Sequence, residues 1–279
     1  MKLKRFVLLT GAFLFILGSS VMAQGLISVS DLNKAIMKKS VVVIDARSAA
    51  KFKADAHIKN AVNVAYSDLH QTAPVKGVLK STDEMAKILG AAGVDGKKPV
   101  VVYDEGSGKF SGRVYWILKY LGVSDVKILD GNLKAWKAAR KPITKNPTMV
   151  KKITFTAKIN SPVFATAEDV KKGGVVLIDA RSAAEYSGTD GKSKGHIPGA
   201  KNIVFEQMLN ADGTMKSAAD LAGVFAGIDK SKAIIVYCET SVRAGIVYFA
   251  LTSVLAYPNV KVYDGAYNEW ISLNNSVEK

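Results

Sequence analysis

The chain repeats itself. Val41-Val-Val-Ile-Asp-Ala-Arg-Ser-Ala-Ala50 returns as Val175-Val-Leu-Ile-Asp-Ala-Arg-Ser-Ala-Ala184, an offset of 134 residues. His57-Ile-Lys-Asn-Ala-Val-Asn63 returns as His196-Ile-Pro-Gly-Ala-Lys-Asn202. Val100-Val-Val-Tyr-Asp104 returns as Ile234-Ile-Val-Tyr-Cys238, and Asp130-Gly131 with Trp136 as Asp264-Gly265 with Trp270. Four anchors in one order mark a tandem duplication, so the chain must build one fold twice. We place the units at residues 24–145 and 161–279, joined by a linker at 146–160. Pro142, Pro147 and Pro162 bracket that region, and proline holds itself and its predecessor extended. Ile153-Thr-Phe-Thr156 within it reads as a short strand.

Val41–Ile44, Val100–Tyr103, Val175–Ile178 and Ile234–Tyr237 are short, continuous apolar runs, and Val126–Leu129 and Val260–Tyr263 are apolar but for Lys127 and Lys261. Such runs suit strands buried on both faces of a parallel sheet. Ser30–Lys39, Ser81–Ala92, Gly112–Leu121, Thr166–Lys172, Ser217–Ala226 and Val242–Leu255 suit helices between them, with Ser30, Ser81 and Thr166 as N-caps. The fold class is α/β: two tandem domains, each a mostly parallel sheet with helices on both faces.

Residues 1–23 have the pattern of a secretory signal peptide. Basic Met1–Arg5 is followed by apolar Phe6–Val21, and Val21-Met22-Ala23 offers small residues before Gln24. The expected mature chain begins at Gln24 and is periplasmic or secreted, away from the membrane once the leader is cleaved. The net charge of +15 includes three leader cations, Lys2, Lys4 and Arg5, and elsewhere the basic residues are dispersed. A nucleic-acid partner is not expected from that distribution. One cysteine and three histidines exclude an intramolecular disulfide framework and argue against a thiolate or histidine metal centre.

In an oxidising compartment the lone Cys238 is either buried and inert or kept for its chemistry. It falls between a strand and a helix at the carboxyl edge of the sheet, where such folds bind ligands. Cys238-Glu239-Thr240-Ser241-Val242-Arg243 can curl so that successive N–H groups face the sulfur. Those amides, a helix N-terminus and Arg243 would stabilise an anion and favour a nucleophilic thiolate.

Asp179-Ala-Arg181, Gly195-His-Ile-Pro-Gly-Ala-Lys-Asn202, Tyr237-Cys238 through Arg243, and Asp264-Gly265 with Trp270, in tandem arrangement, closely resemble the rhodaneses. These are the thiosulfate and 3-mercaptopyruvate sulfurtransferases. The resemblance implies the rhodanese fold twice, no metal or organic cofactor, and catalysis by Cys238 as a persulfide. It implies that residues 239–243 cradle that persulfide, that a small-molecule sulfur donor supplies it, and that cyanide or a thiol, on a small molecule or a partner protein, accepts it. Arg181 is a candidate donor contact, although Asp45/Arg47 and Asp179/Arg181 read first as duplicated structural ion pairs. Asp104 stands at the cysteine's position in the first unit, which is therefore expected to be non-catalytic.

Glu239 and Glu185 stand where two-domain relatives often place donor-binding cations, and each would repel an anionic donor. The leading reading is a sulfurtransferase. The alternative is an exported sulfur carrier or persulfide-binding module with little turnover of small donors. A phosphatase is disfavoured, because Cys-x4-Arg is one residue shorter than an oxyanion-binding Cys-x5-Arg loop. His57 and His196 read as turn residues, Trp136 and Trp270 as core anchors, and His70 as solvated surface.

Overall fold

The duplication is visible in the strand order. The computed structural model describes residues 24–279, so the expected leader lies outside the described residues. The first sheet contains β1 (Leu26–Ile27), β2 (Val42–Asp45), β3 (Val62–Asn63), β4 (Val100–Tyr103) and β5 (Val126–Leu129) in the order β1-β5-β4-β2-β3. The second contains β6 (Phe164–Ala165), β7 (Val176–Asp179), β8 (Lys201–Asn202), β9 (Ile234–Tyr237) and β10 (Val260–Tyr263) in the matching order β6-β10-β9-β7-β8. Neighbouring strands in both sheets run parallel.

The six runs all form strands whose apolar residues are buried or half-buried, while Lys127 and Lys261 within two of them are half-buried. Val43 and Val101 pack outward with Leu32, Leu133 and Trp136. Ile44, Val100 and Val102 pack inward with Met85, Leu89 and Trp116. The inward core does not stop at the domain boundary: it continues into Ile178, Ile234, Val236 and Phe249 of the second unit.

Helices Lys109–Tyr120 and Ala244–Phe249 carry that continuity, and two glycines let them touch. A Cβ on Gly112 would lie 2.4 Å from the Ile246 nitrogen, and one on Gly245 would lie 2.5 Å from the Arg113 nitrogen. The Tyr115 ring meets Phe249 edge-on at 4.9 Å between centroids, while its hydroxyl lies 2.9 Å from Ser253 Oγ.

Several local expectations are corrected. The first helix spans Val29–Met37 and is capped by Ser28, whose side chain accepts from Asp31 N–H; Ser30 lies inside its first turn. Ser81 and Thr166 do cap their helices, each in a reciprocal capping box. The helix expected over Val242–Leu255 starts at Ala244 and widens into a π-helical turn at Ala250–Val254. Ile153–Thr156 forms no strand. It is an extended strap on the first domain: Ile153 N–H donates to Gly90 O at 3.0 Å, Lys158 N–H to Leu121 O at 3.0 Å, and Phe155 is buried.

The helix crossing gives a direct test. Gly112→Ala must push backbone against backbone, and we expect a loss of about 1–3 kcal/mol or more, as for overpacking generally. Gly223→Ala, in a helix with nothing within 4 Å of the added methyl, should instead gain up to about 1 kcal/mol. Urea unfolding of both variants checks the pair. A neutral Gly112→Ala would show that the domains are not in backbone contact.

Candidate active site

Strand β9 ends at Tyr237 and delivers Cys238, fully buried, to the carboxyl edge of the second sheet. The chain then turns through Glu239–Val242 into the helix Ala244–Phe249, for which Arg243 is the N-cap. The second Asp-Gly turn anchors this loop from below. Tyr267 N–H donates to Cys238 O at 3.0 Å, and Asn268 N–H donates to Glu239 O at 3.1 Å. Ser241 adopts φ +60°, a left-handed conformation costing roughly 1–2 kcal/mol for an L-residue. Its buried hydroxyl donates to the carbonyls of Tyr263 and, at 2.8 Å, Asp264, which holds that conformation in place.

Among the described residues, the amides of Glu239, Thr240, Ser241 and Val242 donate to no protein acceptor. The first unit shows what such a loop does with its amides. There Asp104, fully buried, accepts from the N–H groups of Gly106 (2.8 Å), Gly108 (3.2 Å), Phe110 (3.1 Å) and Ser111 (3.2 Å). A side-chain anion attached at the cysteine's position fills the turn. Burial, then neighbouring Glu105, push the Asp104 carboxyl up to about 6 against the pull of those amides. Asp104 thus commits its carboxylate oxygens to four amides of its own turn and occupies the place where an outside anion would have to bind.

Arg243 is not the free cation its position suggested. Its Nη1 and Nη2 donate to Glu185 Oε2 and Oε1 at 2.6 and 2.7 Å, a two-pronged ion pair, and Glu239 lies 3.9 Å away. Burial works against the Glu185 anion, but Arg243 and then Ser182 hold its carboxyl down at about 2. Burial likewise opposes the Arg243 charge, while Glu185 and then Cys238 raise its pKa. Glu185 also completes the capping box of helix Ala183–Ser187 through Ser182. It is therefore a structural partner of the loop arginine rather than a bare repulsive charge.

The remaining candidates separate by burial. Ser241 and Val242 are buried; Thr240 is half-buried and Glu239 exposed. Arg181 is fully buried and faces Asp179: Nη2 donates to Asp179 Oδ2 at 2.6 Å and to Gly195 O at 2.9 Å. Its guanidinium lies 3.8 Å from the Tyr267 ring centroid. Arg47 repeats the pairing with Asp45 at 2.7 Å. These contacts commit Arg181 to the end of the strand and leave a donor little of it to meet. His70 is corrected from surface to interior: its ring is buried, and that burial lowers its pKa. His196 stacks on Tyr186 at 3.6 Å, and His57 on Phe52 at 3.9 Å.

Beside the loop opens a cleft of about 600 Å³, lined by Lys76 of the first domain with Glu185, Asp190, Lys192, Lys194 and Glu239 of the second. Cys238 does not itself line it, being enclosed behind the loop. The opposite wall is Pro74–Lys76, and Gly77 presses on Thr240 so closely that a Cβ there would lie 2.7 Å from Thr240 Cβ.

Rhodanese-like domain models match residues 28–139 and 165–273. The chain belongs to the rhodanese family. Among rhodanese relatives, a Mycobacterium bovis protein with a provisional thiosulfate sulfurtransferase name is 33% identical over 233 residues, covering 78% of this chain and 83% of that protein. The sulfur carrier protein TtuD of Thermus thermophilus is 32% identical, covering 72% of this chain and 77% of its own. The crystal structure of SseA from Escherichia coli, described as a 3-mercaptopyruvate sulfotransferase with the rhodanese fold, superposes with a TM-score of 0.80 at 30% identity, covering 88% and 99% of the two chains.

Sequence reasoning missed one residue of this rhodanese site. Arg113, to which the sequence pattern assigns no role, lies inside helix Lys109–Tyr120. It is fully buried and reaches the second domain, with Nη2 3.3 Å from Asp264 Oδ1.

The enclosed Asp104 carboxyl carries a pH signature. Its folded pKa of about 6 lies above the ordinary 3.8, so the folded state holds the proton more tightly than the unfolded chain. The stability this contributes is present at low pH and lost as pH rises from about 4 through 6. Asp104→Asn should abolish that component. The stability difference, variant minus native, should move in the variant's favour by up to about 3 kcal/mol between pH 4 and 7. Denaturant unfolding at several pH values measures it, and a pH-independent difference would show that Asp104 is not enclosed.

Proposed function

We propose that this protein transfers a sulfane sulfur from a small-molecule donor to cyanide or a thiol through a persulfide on Cys238. The observation that carries the reading is a cysteine at the strand end, within a turn whose amides have no protein acceptor, in the position that Asp104 fills with its own anion in the first unit. The names of the relatives, thiosulfate sulfurtransferase and 3-mercaptopyruvate sulfotransferase, support the reaction class.

In the first step the Cys238 thiolate attacks the outer sulfur of the donor. The donor's S–S bond breaks, its electron pair leaves with sulfite when the donor is thiosulfate, and a Cys238 persulfide anion forms. In the second step cyanide attacks the terminal sulfur, thiocyanate departs, and the thiolate returns. No net oxidation is needed. The amides of residues 239–242 would hold the persulfide charge by fixed dipoles that need no reorganisation during the reaction. Arg243, charged and held by Glu185, would supply the positive end of the loop.

A second reading is an exported sulfur carrier loaded by another protein. The Glu185–Arg243 pair favours it, because an arginine already neutralised offers less to a dianionic donor, and TtuD is named a sulfur carrier. We also propose export to the periplasm or beyond, on the basic-then-apolar pattern of residues 1–23.

Intact mass spectrometry decides between these readings. The reduced protein should gain one sulfur from thiosulfate and lose it to cyanide as thiocyanate, while Cys238→Ser should gain none and stay folded. Sulfur gained only from a protein persulfide would favour the carrier. No gain from thiosulfate, mercaptopyruvate or persulfides would reject both. Glu185→Gln, which removes the charge from Arg243's partner, should lower the KM for thiosulfate by roughly threefold to tenfold, in line with the worth of a charge-assisted contact. Steady-state kinetics would show it.

A further inference from the structure

The first domain lacks the nucleophile, yet its side chains reach the loop that holds Cys238. Arg113 is the centre of this contact. It is wholly buried, and its Nη2 donates to Gly77 O at 2.7 Å within its own domain. The same atom lies 3.3 Å from Asp264 Oδ1 across the interface. The second oxygen of Asp264 accepts from Leu79 N–H, again of the first domain, at 2.9 Å. One carboxylate of the second domain is thus gripped from two sides by the first.

Asp264 passes that grip to the loop. Its carbonyl accepts from Ser241 Oγ at 2.8 Å, the bond that holds Ser241 at φ +60°. On the other side of Arg113, Gly77 is seated against Thr240 with no room for a side chain. Asn268, whose N–H supports Glu239 O, donates its side-chain amide to Lys76 O at 3.3 Å. Residues 239, 240 and 241 are therefore each connected to the first domain through contacts that converge on segment 76–79 and Arg113.

Two features separate Arg113 from an ordinary interface ion pair. Its Nε and Nη1 are buried without a hydrogen-bond partner among the described residues, an arrangement that costs free energy in a purely structural role. It also has no charged counterpart, because Ile246 occupies the equivalent position of the second unit, Gly112-Arg113 and Gly245-Ile246 meeting reciprocally at the helix crossing. The cationic side chain sits on the unit without the cysteine and extends toward the unit that has it.

We propose that Arg113 is a positioning residue for sulfur transfer: by joining Gly77 to Asp264, it holds the Cys238 loop in the shape that presents its amides to the sulfur. The inactive unit is then part of the catalytic apparatus, acting through Asp264 and Ser241. The inference rests on the transferase reading above, with the loop's own reactivity as an independent readout.

The test uses the whole mature chain with Arg113→Gln, Arg113→Lys and Asp264→Asn. In Arg113→Gln, kcat and the single-turnover rate of persulfide formation should fall roughly tenfold to a hundredfold, the scale of a small misplacement of reacting groups. The KM for the donor should change less than about threefold, because no donor contact is removed. Arg113→Lys, which keeps the charge and can still reach one partner, should recover a large part of kcat. Asp264→Asn should reproduce the defect, and the double variant should be little worse than either single one, as expected for a shared chain of contacts.

Full kcat in folded Arg113→Gln would overturn the proposal. So would a loss wholly explained by the folded fraction in unfolding curves. If Arg113→Gln does not fold, Ser241→Ala, which removes only the last bond of the chain, must lower kcat with KM held, and full activity in it would equally reject the idea. The alkylation rate of Cys238 by iodoacetamide separates the two readings. A changed rate in Arg113→Gln supports the positioning role even if no sulfur donor works, and an unchanged rate counts against it.

Discussion

A turn of backbone that points several amides at one spot requires an anion there, and this requirement organises both halves of the molecule. In the first unit the chain satisfies it internally. Asp104 stands at the end of β4 and takes four N–H groups into one enclosed carboxylate. In the second unit the equivalent position holds Cys238, and the amides that follow it have no protein acceptor among the described residues. The duplicated turn is thus filled in one copy and open in the other. A carboxylate has no sulfur to give up, whereas in the proposed reaction a cysteine sulfur at the same place gains and loses a second sulfur. The two loops differ in the side chain that meets these amides, in the residues that follow it and in length, the helix glycine coming eight residues after Asp104 and seven after Cys238.

The two copies depend on each other through a crossed arrangement. The Asp-Gly turn of each unit receives a backbone N–H from the other: Asp264 from Leu79, and Asp130 from Met215, both at 2.9 Å. Asn268 reaches Lys76 O, and Lys134 reaches Ala211 O. Each unit therefore lays a segment over the other's strand-end loop, while Gly112 and Gly245 bring the helices behind those loops into backbone contact. The first unit, with Asp104 in place of a cysteine, keeps its side of this arrangement, and the same contacts reach the second unit's loop. A packed core shared across the interface makes independent motion of the halves costly.

The parts of this design that were legible in the sequence are those with local causes. Strands such as Val100–Tyr103 and Ile234–Tyr237 announce themselves because burial on both faces demands unbroken apolar residues. Ser81 and Thr166 announce helix starts because their caps lie within one turn. The two-residue strands Leu26–Ile27 and Lys201–Asn202 were invisible, since two residues have no periodicity and their strand character comes from a neighbour far away in sequence. Ser28 rather than the expected Ser30 caps the first helix; both lie just before Asp31, and only the bond from Asp31 N–H distinguishes them. Arg113 carried a faint signal, an arginine in one copy where the other has an isoleucine, Ile246. Its meaning needed the interface, because its partner Asp264 lies 151 residues away.

The same distinction governs the electrostatics of the site. From sequence, Glu185 and Glu239 are two negative charges near an anion-handling cysteine, and their count alone predicts repulsion. In space they differ. Glu185 is joined to Arg243 by two short bonds and also caps its own helix through Ser182, so its charge is locally balanced. Glu239 lies 3.9 Å from the same arginine on an exposed side chain, where solvent screens it. Lys76, Lys192 and Lys194 face Glu185, Asp190 and Glu239 around the cleft, so the formal charges of its lining are balanced. Discrimination among sulfur donors must then come from the fixed amides and the shape of the loop more than from net charge at the entrance. That places the burden of specificity on whatever holds Glu239, Thr240 and Ser241 in position, and those contacts come from both copies of the fold.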